Sequence, residues 1–320
     1  MKTLTQSTLL VAALGLMLAV CLAAQPAEAQ EAPTHARPYL AGHHFTETVG
    51  VPSPFVRSFV RNRLGAGKAF DLETTISDLE GQPLVGLKGD LIFAILDFEY
   101  QYAVKDWIAL RARFVGAGRL GSDTLSLLSQ GITMTTGLDF GWLIRLREYE
   151  KTALAMDLNI SSRSFTGVNI SQYVEDIIAG DSPTLVNKTP SFRGSLGLRF
   201  AWAVSPLLGV SARGSTGYGE SMERTKDDEI FWRLSTCLDF DLRTKMSAPL
   251  GVAIGHTYDT FPEFGGDISE GIHATFLRFS YLGRDDFLLS LDLSHDRIPI
   301  SGDRPDLKGA TVTISLRYYI

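Results

Sequence analysis

The sequence predicts a transmembrane antiparallel up-and-down β-barrel of about twelve strands, and three observations carry that expectation. From Phe70 onward the chain falls into segments of about ten to fourteen residues in which apolar and polar side chains alternate with period two. The links between segments alternate short and long. Aromatic residues collect near the segment ends.

The amino terminus predicts export. Lys2 gives a positive start, Leu9 to Val20 form a short apolar core, and Ala27-Glu28-Ala29 places small residues at a cleavage position. Residues 1–29 are therefore expected to be a signal peptide. Lipidation at Cys21 is the alternative, although Val20 stands where that signal favours a smaller residue. Residues 30–66 are expected to form a periplasmic segment with a short amphipathic helix. Ser53-Pro54 reads as its start and Gly65 as its stop, with Phe55, Val56, Phe59 and Val60 opposite Arg57 and Arg61. Such a helix would rest on the membrane interface or plug the periplasmic mouth; a structured tail with no transport role is the simpler alternative. His35, His43 and His44 are metal ligands by type alone, because no carboxylate or cysteine stands at suitable spacing.

The barrel is expected over residues 67–320. Phe70 to Ile76 is a weak first strand. Ile92 to Tyr102 is a strong second, with every even position apolar or aromatic. Ile108, Leu110, Ala112 and Phe114 alternate with Arg111 and Arg113. Leu138 to Leu146 and Leu154 to Ile160 follow, and like ladders occupy 194–203, 207–215, 229–243, 249–259, 273–283, 286–297 and 309–320. Successive strand side chains face opposite ways, so each segment has one greasy and one polar face. Short turns at 103–106, 148–152, 203–207, 244–249 and 283–286 alternate with long links at 79–89, 118–135, 166–190, 216–229, 260–271 and 298–308. An even strand count with both termini on the short-turn side satisfies that order. Tyr102, Trp202, Tyr281 and Tyr318 are expected at the periplasmic rim, and Trp232 and Phe114 near the other.

Several classes are excluded. The sequence has no apolar run of about twenty residues, so ordinary helical spanning is out. The net charge of −6 comes with no basic cluster, so nucleic acid is not an expected partner. Cys237 is the only cysteine past the signal, which leaves no intramolecular disulfide. A soluble β-sandwich would also alternate, but it gives no reason for the alternating link lengths.

With these segments in place, residues 67–320 resemble the general class of Gram-negative outer-membrane β-barrel proteins. The last strand, Thr311 to Ile320, is similar to the C-terminal signal read by the barrel-assembly machinery. It departs from that signal at Ser315, where Gly is common, and at Ile320, where an aromatic usually ends the chain. The resemblance implies an outer-membrane location with periplasmic termini, and lipid and the assembly machinery as partners.

If the greasy face meets lipid, the other face lines a lumen. Asp97, Glu99, Asp139, Asp157, Asp239, Asp241 and Asp292 would line it, with Arg111, Arg113, Arg145, Arg199, Arg213, Arg233, Arg278 and Arg317. Nearly balanced signs predict little charge selectivity. Guanidinium forks suit crowded pairing with carboxylates, so the wall reads either as stiffening salt-bridge ladders or as a polar channel for small solutes. Leu91 to Leu96 is apolar on both faces and calls for an apolar cover. A loop folded into the mouth would supply one, from Leu125, Leu127 and Leu128 or from a short helix over Ser171 to Gly180 carrying Val174, Ile177 and Ile178.

The expected function is thus passive passage of small solutes, narrowed by an inward loop. A closed structural or adhesive barrel is the alternative, and an outer-membrane hydrolase the third. No cofactor is expected and no catalytic group assembles: Asp292, His295 and Asp296 are the nearest approach, and parity turns His295 toward lipid.

Overall fold

The computed structural model describes residues 37–77, 83–121, 132–168, 177, 186–220, 229–246, 248–260, 271–298 and 306–320. The export signal and the two loops expected to fold inward lie outside the described residues, apart from Ile177, which is helical and exposed. The described residues begin with two short strands, β1 (Tyr39–Leu40) and β2 (His43–His44). Twelve long ones follow: β3 (Phe59–Ser77), β4 (Pro83–Lys105), β5 (Ile108–Gly121), β6 (Ile132–Glu148), β7 (Thr152–Val168) and β8 (Val186–Ala203), then β9 (Leu208–Gly219), β10 (Glu229–Asp241), β11 (Leu250–Asp259), β12 (Ile272–Tyr281), β13 (Phe287–Ile298) and β14 (Leu307–Tyr319).

Strands β3 to β14 form one closed barrel in which every strand pairs antiparallel with its sequence neighbours and β14 returns to pair with β3. Closure leaves no unpaired edge, which is the condition for backbone to cross hydrocarbon. No helix among the described residues is long and apolar enough to cross a membrane. The alternation resolves into two faces. Leu64, Phe140, Leu234 and Ile314 point outward and are more than half exposed, whereas Asp97, Asp157 and Arg278 point inward and are at most 1% exposed. Large apolar groups outside and buried charges inside invert a soluble protein, and hydrocarbon is the environment that makes the exterior favourable. Tyr102, Trp202, Tyr281 and Tyr318 lie exposed at the short-turn rim, and Trp232 stands near the rim of the long links. Phe114 sits halfway along β5 instead, because that strand runs on to Gly121.

The expected helix is absent. Residues from Phe59 onward form β3, and the barrel therefore starts before residue 67. The Ser-Pro start signal loses to a stronger demand: β14 needs a partner along its whole length, and Phe59 to Phe70 pair with Tyr319 to Lys308 in unbroken register. Read with period two, Phe59, Arg61 and Arg63 face inward while Val60, Asn62 and Leu64 face outward. Most strands also run further toward the long-link rim than strict alternation implied. There Gly116, Gly118 and Thr133 to Thr136 supply ladder hydrogen bonds without a patterned face.

Candidate functional site

Residues 37–58 precede β3 and lie inside the barrel as a strap across the short-turn end. A two-residue turn starts it: Ala41 and Gly42 both have positive φ (46° and 84°), and they reverse the chain between β1 and β2. Apolar side chains then wedge against inward-facing wall residues. Leu40, Phe45 and Phe55 pack on Ala153, Ala201 and Ala203. Val51 packs on Cys237, Ala253 and Phe276, and Val56 on Ala109, Leu143 and Ala155. The wall is small where the strap is large. Each of these strap side chains contributes about 1.5–3 kcal/mol by burial.

Polar contacts fix the strap's height and register. Asp239 accepts from the Thr46 backbone N–H and hydroxyl, both at 2.7 Å. Arg278 donates to the Thr46 and Glu47 carbonyls at 3.0 and 2.9 Å while its other donors grip Asp292 at 2.5 and 2.7 Å. Arg199 reaches the Ser53 carbonyl at 3.2 Å, and Gln101 donates to the Phe55 and Arg57 carbonyls at 3.2 and 2.9 Å. The Glu47 carboxylate accepts from Arg317, the Tyr319 hydroxyl and the Ser53 hydroxyl. Glu47 holds φ at 48°, a left-handed conformation that costs a non-glycine residue about 1–3 kcal/mol, so its surroundings over-determine it. Taken with the packing, the strap contacts β4 through β12 and β14.

His43 is fully buried in this seal. Its Nδ1 faces the Pro206 carbonyl at 3.2 Å, its Nε2 lies 3.8 Å from Asp239, and its ring meets Phe45 edge-on. A Cβ on Gly209 would collide with the His43 and Phe45 rings, so only glycine admits them. Burial holds the His43 imidazole below its ordinary value, outweighing the opposite pull of Asp241. At His44, burial followed by the Arg37 and Arg243 guanidiniums pushes the value down to about 3. Among the described residues no group of three or more His, Cys, Asp or Glu is arranged to hold a metal ion, and His35 lies outside them.

Above the strap the inner wall is charged. Among the described residues, Arg61 and Arg63 on β3, Arg111, Arg113 and Arg119 on β5, Arg163 on β7, Arg193 and Arg199 on β8, Arg213 on β9 and Arg233 on β10 face the lumen there. Asp97, Glu99, Asp139, Asp157, Asp259 and Asp296 accompany them. Asp97 accepts a two-pronged pair from Arg113 at 3.0 Å each and has Arg63 at 3.3 Å. Glu99 meets Arg61 at 2.5 Å. Asp139 is forked by Arg163 at 2.6 and 3.0 Å and has Arg113 at 3.6 Å. Asp157 takes Arg199 and Arg213 at 3.0 and 2.9 Å, and Arg111 donates to Asn159 at 3.0 Å. Arg233 binds Asp259 on the next strand.

The residues read from sequence as lumen-lining thus divide in two. Asp97, Glu99, Arg111, Arg113, Asp139, Asp157, Arg199, Arg213 and Arg233 sit in the network above the strap. Asp239, Asp241, Arg278, Asp292 and Arg317 hold the strap or the turn beneath it, with Asp241 capping the 3-10 turn Leu242–Thr244 and accepting from the His44 N–H at 3.2 Å. Arg145 stands apart at the short-turn rim with Glu148, 3.3 Å away. Sequence reasoning missed Arg61 and Arg63, and it offered residues 30–66 as a plug of the periplasmic mouth only in the form of a helix, without the contacts that seat the strap. The signal for the strap was present: Ala109, Leu143, Ala153, Ala155, Ala201, Ala203 and Ala253 are apolar residues on the lumen side of the short-turn end. On the long-link side, Phe93 and Ile95 are half-buried on the inner wall, and the Phe93 ring lies against Gly67. The hydrolase-like group does not assemble, because Asp292 is taken by Arg278 and His295 is exposed on the outer face.

A closed twelve-strand barrel, apolar outside, girdled by aromatics and charged within, defines a β-barrel protein of the Gram-negative outer-membrane class. No protein-family model matches the sequence, and no curated protein matches it. Solved barrels are similar in fold. The KdgM porin in complex with disordered oligogalacturonate matches with a TM-score of 0.43 and 8% identity, covering 82% of this chain and 99% of that one. The translocator domain of the autotransporter NalP from Neisseria meningitidis gives 0.47 and 11%, covering 84% and 90%. A Pseudomonas aeruginosa FadL homologue gives 0.46 and 10%, covering 89% and 97%. At these scores the likeness bears on none of their cargoes.

Proposed function

We propose that this barrel is a passive, non-enzymatic route for small solutes across the outer membrane, held shut at one end by residues 37–58. The observation that carries the reading is the nature of the closure. Wall side chains do not interdigitate to fill the short-turn end; a single strap outside the barrel ladder fills it, continuous with the ladder where it runs into β3. An element outside the ladder can swing out without breaking any pairing between the barrel strands. The short-turn end is assigned to the periplasm, which places both chain ends there and makes β14 the strand offered to the assembly machinery. Any further narrowing by an inward-folded long link belongs to this proposal and would sit at the opposite mouth.

Planar-bilayer recording tests the reading with the natural chain and with Val51→Asn, which puts an unsatisfied amide into the Val51, Cys237, Ala253 and Phe276 cluster. Discrete ohmic steps, rare in the natural chain and more frequent in the variant, are the expected result. Silence in both, with the barrel folded by heat-modifiable gel mobility, would replace the route by a permanently closed structural barrel.

A further inference from the structure

We infer that His256 and His273 form a two-histidine zinc site on the outer wall, at the long-link end of β11 and β12. The site is separate from the lumen and from any route through it. Barrel register brings the two rings together. Ala253 and Asp259 face inward on β11, so period two turns Ile254, His256 and Tyr258 outward. Arg278 faces inward on β12, which turns His273, Thr275 and Leu277 outward. His256 pairs with Thr275 and Tyr258 with His273, so the histidines are diagonal neighbours across one strand pair. One step nearer the short turns, Leu238, Ile254 and Leu277 lie side by side as aliphatic exterior. On β11 and β12 that exterior ends there. Tyr258 stands level with His273, and Trp232 lies one step further out, bonded to Thr260. Aromatics at that height mark the membrane interface, where water and ions reach the wall.

Both histidines are exposed, and their ring nitrogens already stand at ligand spacing. His256 Nε2 lies 3.3 Å from His273 Nδ1, and His256 Nδ1 lies 3.2 Å from the Thr275 hydroxyl. Zn–N bonds are about 2.0–2.1 Å, so nitrogens 3.3 Å apart subtend an angle of about 104–111° at a shared ion, which is tetrahedral. In the metal-bound arrangement His256 keeps its Nδ1 proton on the Thr275 oxygen and offers Nε2. His273 carries its proton on Nε2 and offers Nδ1, so the contact between the rings is exchanged for two metal bonds. Thr275 thereby fixes the His256 tautomer, as the outer shell of a metal site does. Water fills the two remaining positions. The Tyr258 ring, 5.0 Å from that of His273 between centroids, backs the second imidazole. Residues 260–271 leave β11 after Asp259 and enter β12 at Ile272, so a bound ion ties the two ends of that link together.

The test uses the full chain in detergent, stripped with EDTA and titrated with zinc chloride. Saturable binding is expected, lost in His256→Asn and in His273→Asn and weakened about 10–100-fold in Thr275→Val. His295→Asn, also exposed on the outer wall, should leave it unchanged. Heat-modifiable gel mobility checks that each variant is a folded barrel. Two readings need no variant. Cobalt in place of zinc should give the intense visible absorption of a tetrahedral ion. Amides of 256–258 and 273–275 should exchange about tenfold more slowly once zinc stands at about ten times Kd. No binding by the natural chain, binding that survives both histidine substitutions, or a weak octahedral cobalt spectrum would overturn the site.

Discussion

Replacing Glu47 by alanine isolates what holds the strap down. Its carboxylate is the acceptor for the Arg317 guanidinium, the Tyr319 hydroxyl and the Ser53 hydroxyl, and all four residues sit in the seal. Arg317 and Tyr319 are 4% and 2% exposed, so Glu47→Ala leaves a buried cation without its carboxylate. Breaking one side of a buried ion pair costs about 3–5 kcal/mol. Alanine still has to hold the left-handed φ of 48°, so no strain is relieved in return. The whole loss falls on the docked strap, because the undocked state lets Arg317 take up water. The docking equilibrium should shift by about two to four powers of ten. Hydrogen exchange of amides 43–56 in detergent reads it directly, with β7 and β8 amides as the internal control for an intact barrel. Unchanged exchange at 43–56 in the variant would show that Glu47 does not hold the strap, and the argument from its three donors would fail.

Two other expectations concern the same seal. Gly209→Ala forces a Cβ into the His43 and Phe45 rings and should loosen the strap by about 1–3 kcal/mol, seen as faster exchange at 43–46 and unaltered exchange elsewhere. Acid should release the strap as well. His43 and His44 both have docked values below their ordinary one, so the undocked state binds the extra protons; docking is complete above about pH 6.5 and weakens as pH falls toward the docked values, about 3 for His44. His44 contributes about 1.4 kcal/mol per pH unit in that window and His43 acts in the same direction, and strap exchange that is flat from pH 8 to pH 5, after correction for intrinsic rates, would refute the account.

Much of the barrel was legible because period two is a local signal. In Ile92 to Tyr102, each residue's face follows from its own place in the alternation, and the lumen side of Asp97 and Glu99 follows with it. A plug formed by residues 30–66 was among the sequence's readings, but its extended form and its docking were not legible, for the opposite reason. Its partners lie 163 residues away at Pro206 and 270 away at Arg317, and no local pattern in residues 37–58 points to them. Arg61 shows how a local signal misleads. Its spacing from Phe55 and Val56 fits a helix face, yet the backbone of β14 demanded a partner and turned Arg61 into the lumen beside Glu99. Asp157 and Arg199 were each placed on the lumen side, but their convergence with Arg213 depends on strand register, which one strand's sequence does not encode.

The seam between β3 and β14 gives the strap a second consequence. Glu47 is twelve residues ahead of Phe59, the first residue of β3, and it is anchored on Arg317 and Tyr319 at the far end of the chain. A seam that slipped by two residues would keep every side chain on its proper face and every backbone hydrogen bond in kind. It would also carry Arg317 about 7 Å along the wall from Glu47, at roughly 3.4 Å of rise per residue. Neither the greasy exterior nor the hydrogen-bond count can detect such a slip. The strap can, because it docks only when the first and last strands are joined in the correct frame.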